Sequence, residues 1–227
     1  MQIAPRLWQL LILCGIASLG LAGCDSLPTW IPFQGPISDS LPGVVAPAER
    51  MAGLDKLIED APKATPEQKQ LISNQLANSI RDEKDPLIRE RIIRVLGAYP
   101  SASADAVLKA AVNDPDASTR IAACEALGRR NDEQSVQLLA TAMSGDAESD
   151  VRLAAARALG ETKSPGAVKP LGEALNDVDP AMQWRAVQSL KQVTGKDLGN
   201  DVSRWQQYVR GETPSPPTLA ERLGLRF

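Results

Sequence analysis

Residues 116–128, DASTRIAACEALG, recur as SDVRLAAARALG at 149–160 and, upstream, as DPLIRERIIRVLG at 85–97. A fourth version, DPAMQWRAVQSL at 179–190, departs in carrying Gln183 where the others have Arg89, Arg120 and Arg152. The closing leucines Leu96, Leu127, Leu159 and Leu190 recur at an almost constant interval, with no step differing from another by more than a single position. Working outward, a second column keeps the same rhythm: Leu76, Leu108, Leu139 and Leu171, followed by Ile80, Val112, Met143 and Leu175. Two stretches of helical period per repeat, joined by short polar turns, predict a helix-turn-helix solenoid, in which each pair buries its apolar stripe only by stacking on its neighbours.

The repeated stretch also predicts what each residue type is for. With Leu127 at zero and about 100° per residue, Thr119 and Ala123 fall within about 80° of it and Cys124 and Ala126 flank it, while Ala122 and Glu125 point away. Small side chains on the packed side let neighbouring helices approach closely. By the same count Arg120 falls near the centre of the apolar sector, and Arg89 and Arg152 occupy the equivalent place. A guanidinium turned inward needs a partner, because an unpaired buried charge is strongly unfavourable. Asp85, Asp116 and Glu148 stand four residues upstream of these arginines, near helix N-termini that favour an anion. The expectation is a structural ladder of Asp85, Arg89, Asp116, Arg120, Glu148 and Arg152 running between repeats, since repetition suits a stacking device better than one active site.

On these residues the chain resembles HEAT repeats of the phycobilisome-lyase type, over residues 66–193. The resemblance implies an all-α, right-handed α-α solenoid of about four HEAT-like helix pairs, at 66–99, 102–130, 132–160 and 164–193. Flanking cap helices complete a domain at 47–211. Residues 48–60 form one amphipathic helix with Met51, Leu54, Leu57 and Ile58 on one side. Residues 201–211 place Val202, Trp205, Tyr208 and Val209 at helical spacing, and this stretch resembles the C-terminal caps of bacterial HEAT-repeat lipoproteins. The Pro-rich tail, 212–227, reads as loosely held, with Leu219, Leu223, Leu225 and Phe227 free to dock.

The N-terminus carries a different signal. Arg6 precedes an uncharged run from Leu7 to Leu19 that is too short to span a bilayer and reads as a signal-peptide core. Leu21, Ala22, Gly23 and Cys24 resemble the lipobox of bacterial lipoproteins. That resemblance implies a signal peptide at 1–23 and a Cys24 carrying diacylglyceryl and N-acyl chains. At about 0.8 kcal/mol per buried CH₂, three such chains make a permanent anchor. Residues 24–46, with Pro28, Pro32, Pro36, Pro42, Gly35 and Gly43, form a tether without helical or alternating period. Trp30, Ile31 and Phe33 within it suit either the headgroup zone or the domain surface. Inner and outer membranes both stay open.

Composition narrows the function. Of 25 basic residues only Arg6 precedes Cys24, so 24 stand against 28 acidic ones, which lacks the basic footprint of a nucleic-acid binder. The sequence has no histidine, the commonest general base and zinc ligand, and no phosphate loop or metal spacing, so neither metal nor cofactor is expected beyond the lipid on Cys24. Cys124, alone inside a helical pattern, reads as a small buried apolar residue. The expectation is a non-catalytic protein-binding scaffold, lipid-anchored in the bacterial cell envelope and facing the periplasm or exterior. Its partner surface is placed at Arg94, Arg129, Arg157, Ile121 and Leu153, on second helices lining a concave face. A bilin-lyase-like accessory subunit and an envelope-structural protein contacting cell wall stand as alternatives.

Overall fold

The computed structural model describes residues 46–216. Cys24 and the expected signal peptide lie outside the described residues, as do 24–45 of the tether and 217–227 of the tail. Among the described residues there are ten α-helices: α1 (Pro47–Asp60), α2 (Pro66–Ser79), α3 (Pro86–Ala98), α4 (Ala102–Ala111), α5 (Ala117–Leu127), α6 (Glu133–Gly145), α7 (Ser149–Glu161), α8 (Val168–Ala174), α9 (Pro180–Thr194) and α10 (Val202–Val209). A 3₁₀ turn at Pro165–Ala167 opens the fourth pair and leaves α8 the shortest helix among them.

Local chemistry sets these boundaries. Proline begins α1, α2, α3 and α9, where its missing amide has no intrahelical partner to lose. Asp85, Asp116, Asp132, Asp179 and Asp201 accept amide hydrogen bonds as N-caps, and Thr65 with Gln68 closes a capping box. Gly195, at φ +67°, ends α9 in the left-handed conformation that lacks a steric cost only for glycine.

The helices lie in two layers. In the first, α1, α3, α5, α7 and α9 stack on one another in that order. In the second, α2, α4, α6 and α8 pack on the first-layer helix that follows them, and α10 packs on α8 and α9. The solenoid is therefore four helix pairs bounded by a lone first-layer helix before them and a lone second-layer helix after them. Leu96, Leu127, Leu159 and Leu190 are fully buried between the layers, as are Leu108, Leu139 and Leu171. Leu76 and Ile80 are only partly buried, because α2 is the outermost member of its layer and has no second-layer helix before it. Tyr99 fastens the N-terminal end: its hydroxyl donates to the Leu57 carbonyl (2.6 Å), and its own carbonyl accepts from Ser73 Oγ (2.9 Å).

Ala122, expected to point away from the core, is 1 % exposed. A wheel with one buried side suits a surface helix, whereas α5 is clasped between α3 and α7 and buries two flanks as well as its inner side.

Candidate functional site

Close approach within the first layer is built from the residue after each closing leucine. A Cβ on Gly128 would stand 2.9 Å from the Ala158 carbonyl oxygen and 3.0 Å from its Cα. One on Gly160 would meet Ser189 Cα and Cβ at 2.9 Å, and one on Gly97 would meet Ala126 Cβ at 3.0 Å. From α2 to α8 the second layer is open by comparison, whereas at its end Gly172 of α8 lies close against Val209 of α10. Cavities of about 420 Å³ between α2 and α4, about 500 Å³ between α4 and α6, and about 410 Å³ between α6 and α8 separate its helices.

Arg89 and Arg120 line the first two of these grooves, with partners other than those expected. Arg89 donates Nε to Asp114 Oδ2 (3.0 Å) and Nη2 to Oδ1 (2.9 Å). Arg120 binds Asp146 in the same bidentate way (2.7 and 2.9 Å). Each carboxylate comes from the turn that precedes the next second helix, so a rung joins successive repeats. Asp85 and Asp116 instead cap α3 and α5, accepting from the Leu87 and Thr119 amides, and Glu148 makes no side-chain cap. The reason is reach: an acid one turn upstream on the same helix end is better placed for the local amides than for an arginine extended toward the neighbouring repeat. Arg50 of α1 adds a rung by pairing with Glu83. Arg152 ends the series. Its Nη1 donates to the Asp146 and Ala147 carbonyls (2.9 and 3.3 Å), and it forms no ion pair among the described residues.

Electrostatics follow the geometry. The hydrogen bond from Arg120 holds the Asp146 carboxyl below the usual carboxylate range against the opposing effect of burial, with the Glu148 amide and the Arg120 and Arg152 charges adding to it. Burial raises Asp114, but the Arg89 hydrogen bond, the Asp116 amide and the charges of Arg89 and Arg120 outweigh it, and the net shift is downward. Burial, aided by the Asp146 and Glu125 charges, pushes the Cys124 thiol up to about 12, leaving it without thiolate at neutral pH.

The outer face of the first layer carries the residues expected to meet a partner. Arg94, Glu125 and Arg157, on α3, α5 and α7, are not independent charges: Glu125 accepts from Arg94 Nη1 (2.9 Å) and from Arg157 Nη2 (2.6 Å). Glu90 pairs with Arg94, and Glu161 lies 3.5 Å from Arg157 Nε, so an alternating chain of charge crosses three helices. Arg129 is exposed and lies over Gly97. Ile121 and Leu153 sit beside this chain, partly buried against the core.

Two features escaped the sequence reading. Arg130 donates Nε to Asp105 (2.7 Å) and Nη2 to the Leu96 carbonyl (3.1 Å), capping the end of α3 from the following repeat. Its signal, an arginine just past the glycine of one repeat only, is not periodic. Trp184 is 52 % exposed in the row of Ile121 and Leu153, with the Arg185 guanidinium 5.1 Å from its ring centroid. Lining up that row in the sequence would have found it. Among the described residues no group of acidic or cysteine side chains could hold a metal ion, and no helix is long and apolar enough to cross a membrane.

Comparison with known proteins agrees with this architecture. The family model for HEAT repeats matches residues 73–154 and 139–202, more than half of the chain. Among solved structures the chain is similar to human deoxyhypusine hydroxylase in complex with glycerol, at 23 % identity and a TM-score of 0.49, over 55 % of this chain and 44 % of that one. It thus spans less than half of that protein's length. No curated protein matches the chain.

Proposed function

The chain belongs to the HEAT-repeat family, and from that premise we propose that it is a non-catalytic scaffold that holds a partner protein on its first-layer face, anchored through acylated Cys24 to a membrane of the bacterial envelope. HEAT repeats commonly mediate protein–protein interaction. The observation that carries the reading is the contrast between the two layers over the four pairs: tight glycine contacts from α3 to α9 in the first and open grooves from α2 to α8 in the second. A stack close on one side and open on the other bends toward its close side, which gathers residues from successive repeats onto one concave surface. The chain from Glu90 through Arg94, Glu125 and Arg157 to Glu161 gives that surface a fixed charge pattern, and Ile121, Leu153 and Trp184 give it an apolar strip. Paired and held in place, these arginines lose little side-chain entropy on contact, and guanidinium and aromatic groups are the types that most often anchor interfaces. Arg129, exposed beside them, extends the same surface.

The test is cross-linking in intact cells, with mass spectrometry of the captured partner. Replacing Arg94, Arg129 and Arg157 together by Ala should weaken capture of that partner at least about tenfold, the loss of one good anchor, while the helical circular-dichroism signal holds. Unchanged capture by the folded triple variant would place the partner elsewhere. Cys24→Ser should release the protein from membranes or leave its signal uncleaved. Membrane association that persists with an unmodified residue 24 would remove the anchor.

A further inference from the structure

We propose that the groove between α2 and α4 binds a free fatty carboxylate of medium chain length, with its head on Arg81 and its chain along the apolar walls. The site lies in the second layer and is independent of the first-layer partner surface and of the anchor.

The groove has a volume of about 420 Å³, with Ala77 and Ile80 on one wall and Ala106, Val107, Ala110 and Ala111 on the other. Small side chains on the two helices leave the space between them unfilled. Along most of these walls the backbone has no hydrogen-bonding group to offer, because its amides and carbonyls are paired within each helix. A peptide laid there would find no partners for its own amides, whereas an alkyl chain needs none.

The two ends of the groove differ. At one, Ser103 Oγ donates to Asn74 Oδ1 (2.7 Å) and bridges α4 to α2. At the other, Arg81 stands exposed in the turn after α2, with no hydrogen bond or ion pair among the described residues. Arg89 and Asp114 reach the same end, but their bidentate pair cancels, so Arg81 leaves the groove with an excess positive charge in a chain of net charge −3. The C-terminal ends of α2 and α4 oppose an anion here, and the N-terminal end of α3, which carries Arg89, offsets them. From Ser103 to Ala111 the α4 wall is about 12 Å long, the length of a straight chain of about ten carbons.

The neighbouring grooves provide an internal comparison, since the same register positions line all three. Ala110 of the first is matched by Thr141 in the groove between α4 and α6 and by Glu173 in the groove between α6 and α8. Arg81 is matched by Asn113 and Ser144. Asp114, Arg120 and Asp146 leave the second groove with an acid in excess, and the third is lined by Glu173 and Asp177 without a cation. The three volumes are alike, so size does not select a ligand. Of the three, the first alone combines an apolar wall with an unpaired cation, which is the chemistry that a fatty carboxylate requires.

Sodium decanoate titrated into the full chain, followed through amide chemical shifts, tests this. Saturable shifts should be confined to α2, α4 and residues 80–84; no saturation, or shifts centred on either other groove, would overturn the proposal. 1-Decanol has the same chain without the charge. It should bind the parent about fivefold more weakly than decanoate and bind Arg81→Ala as well as decanoate does. A preference for decanoate that survives in Arg81→Ala would overturn the head-group contact. Ala110→Glu gives this exposed position the residue of the third groove, and it should weaken both ligands at least about tenfold while the helical circular-dichroism signal holds. Unchanged binding by that folded variant would overturn the placement of the chain. A leucine tripeptide with a free carboxylate, if it bound the same amides more tightly than decanoate, would assign the groove to the C-terminus of a protein and equally overturn the proposal.

Discussion

At the scale of single residues, the arginine seven positions before the closing leucine of the first three repeats does different work in each. Arg120 and Asp146 form a bidentate pair with side chains 14 % and 9 % exposed, whereas Arg152 has only two carbonyl acceptors. Removing one member of a largely buried pair leaves the other uncompensated, so Arg120→Ala should cost about 3–5 kcal/mol and Arg152→Ala only about 1–2 kcal/mol. Urea denaturation of the two variants checks this, and equal losses would mean that Arg152 has an acidic partner after all. The same pair predicts a pH dependence. The folded-state value of Asp146 lies below the unfolded value of about 3.9, so its contribution is complete above that pH and disappears as pH falls through the lowered folded value. The stability gap between the parent and Asp146→Asn should therefore hold from pH 7 to about 5 and close below about pH 4. That an arginine turns inward was legible in the sequence, because helical period fixes direction. Its partner was not: Asp146 lies 26 residues away, and only the offset between adjacent repeats brings the two together.

At the scale of the helix, the glycine behind the closing leucine sets the spacing of the first layer. Gly128→Ala adds a methyl group against the Ala158 backbone, which has no flexible end to move aside, so the helices must separate at a cost of about 1–3 kcal/mol. Gly145, at the end of α6, has nothing within 4 Å of an added Cβ. There Ala should be neutral or stabilise by up to about 1 kcal/mol, through helix propensity and a less disordered unfolded chain. Thermal melts of both variants separate the effects, and a matched response would mean that the contact at Gly128 is relieved by small shifts. The two glycines look alike in a sequence read one residue at a time. The repeat register distinguishes them, since Gly128 shares its column with Gly97 and Gly160 while Gly145 has no counterpart. Register failed for Ala122, because a wheel drawn for one helix does not say how many neighbours that helix has.

At the scale of the whole repeat domain, each helix contacts only its neighbours, so position in the stack should decide local stability. Helix pairs were legible in the leucine spacing. What the sequence did not reveal is that α1 and α10 continue the two layers as half-pairs, since neither carries the full repeat motif and only packing shows which layer each joins. The column Leu76, Leu108, Leu139 and Leu171 gives the sharpest test, because one residue type sits in one register at different depths. Leu139 of α6 is fully buried, and Leu139→Ala should cost about 2–5 kcal/mol by lost burial and cavity formation. Leu76 of α2 is partly buried at the outer end of its layer, so Leu76→Ala should cost less than half as much. Native-state hydrogen exchange should show the same gradient, with amides of α5 and α7 the slowest and those of α1 and α2 opening first, by fraying inward from the N-terminal end. A single protection factor shared by α2 and α7, with equal losses at Leu76 and Leu139, would mean that the array unfolds as one cooperative unit. Nearest-neighbour contacts would then be too strong, relative to the stability of each pair, for the ends to open separately.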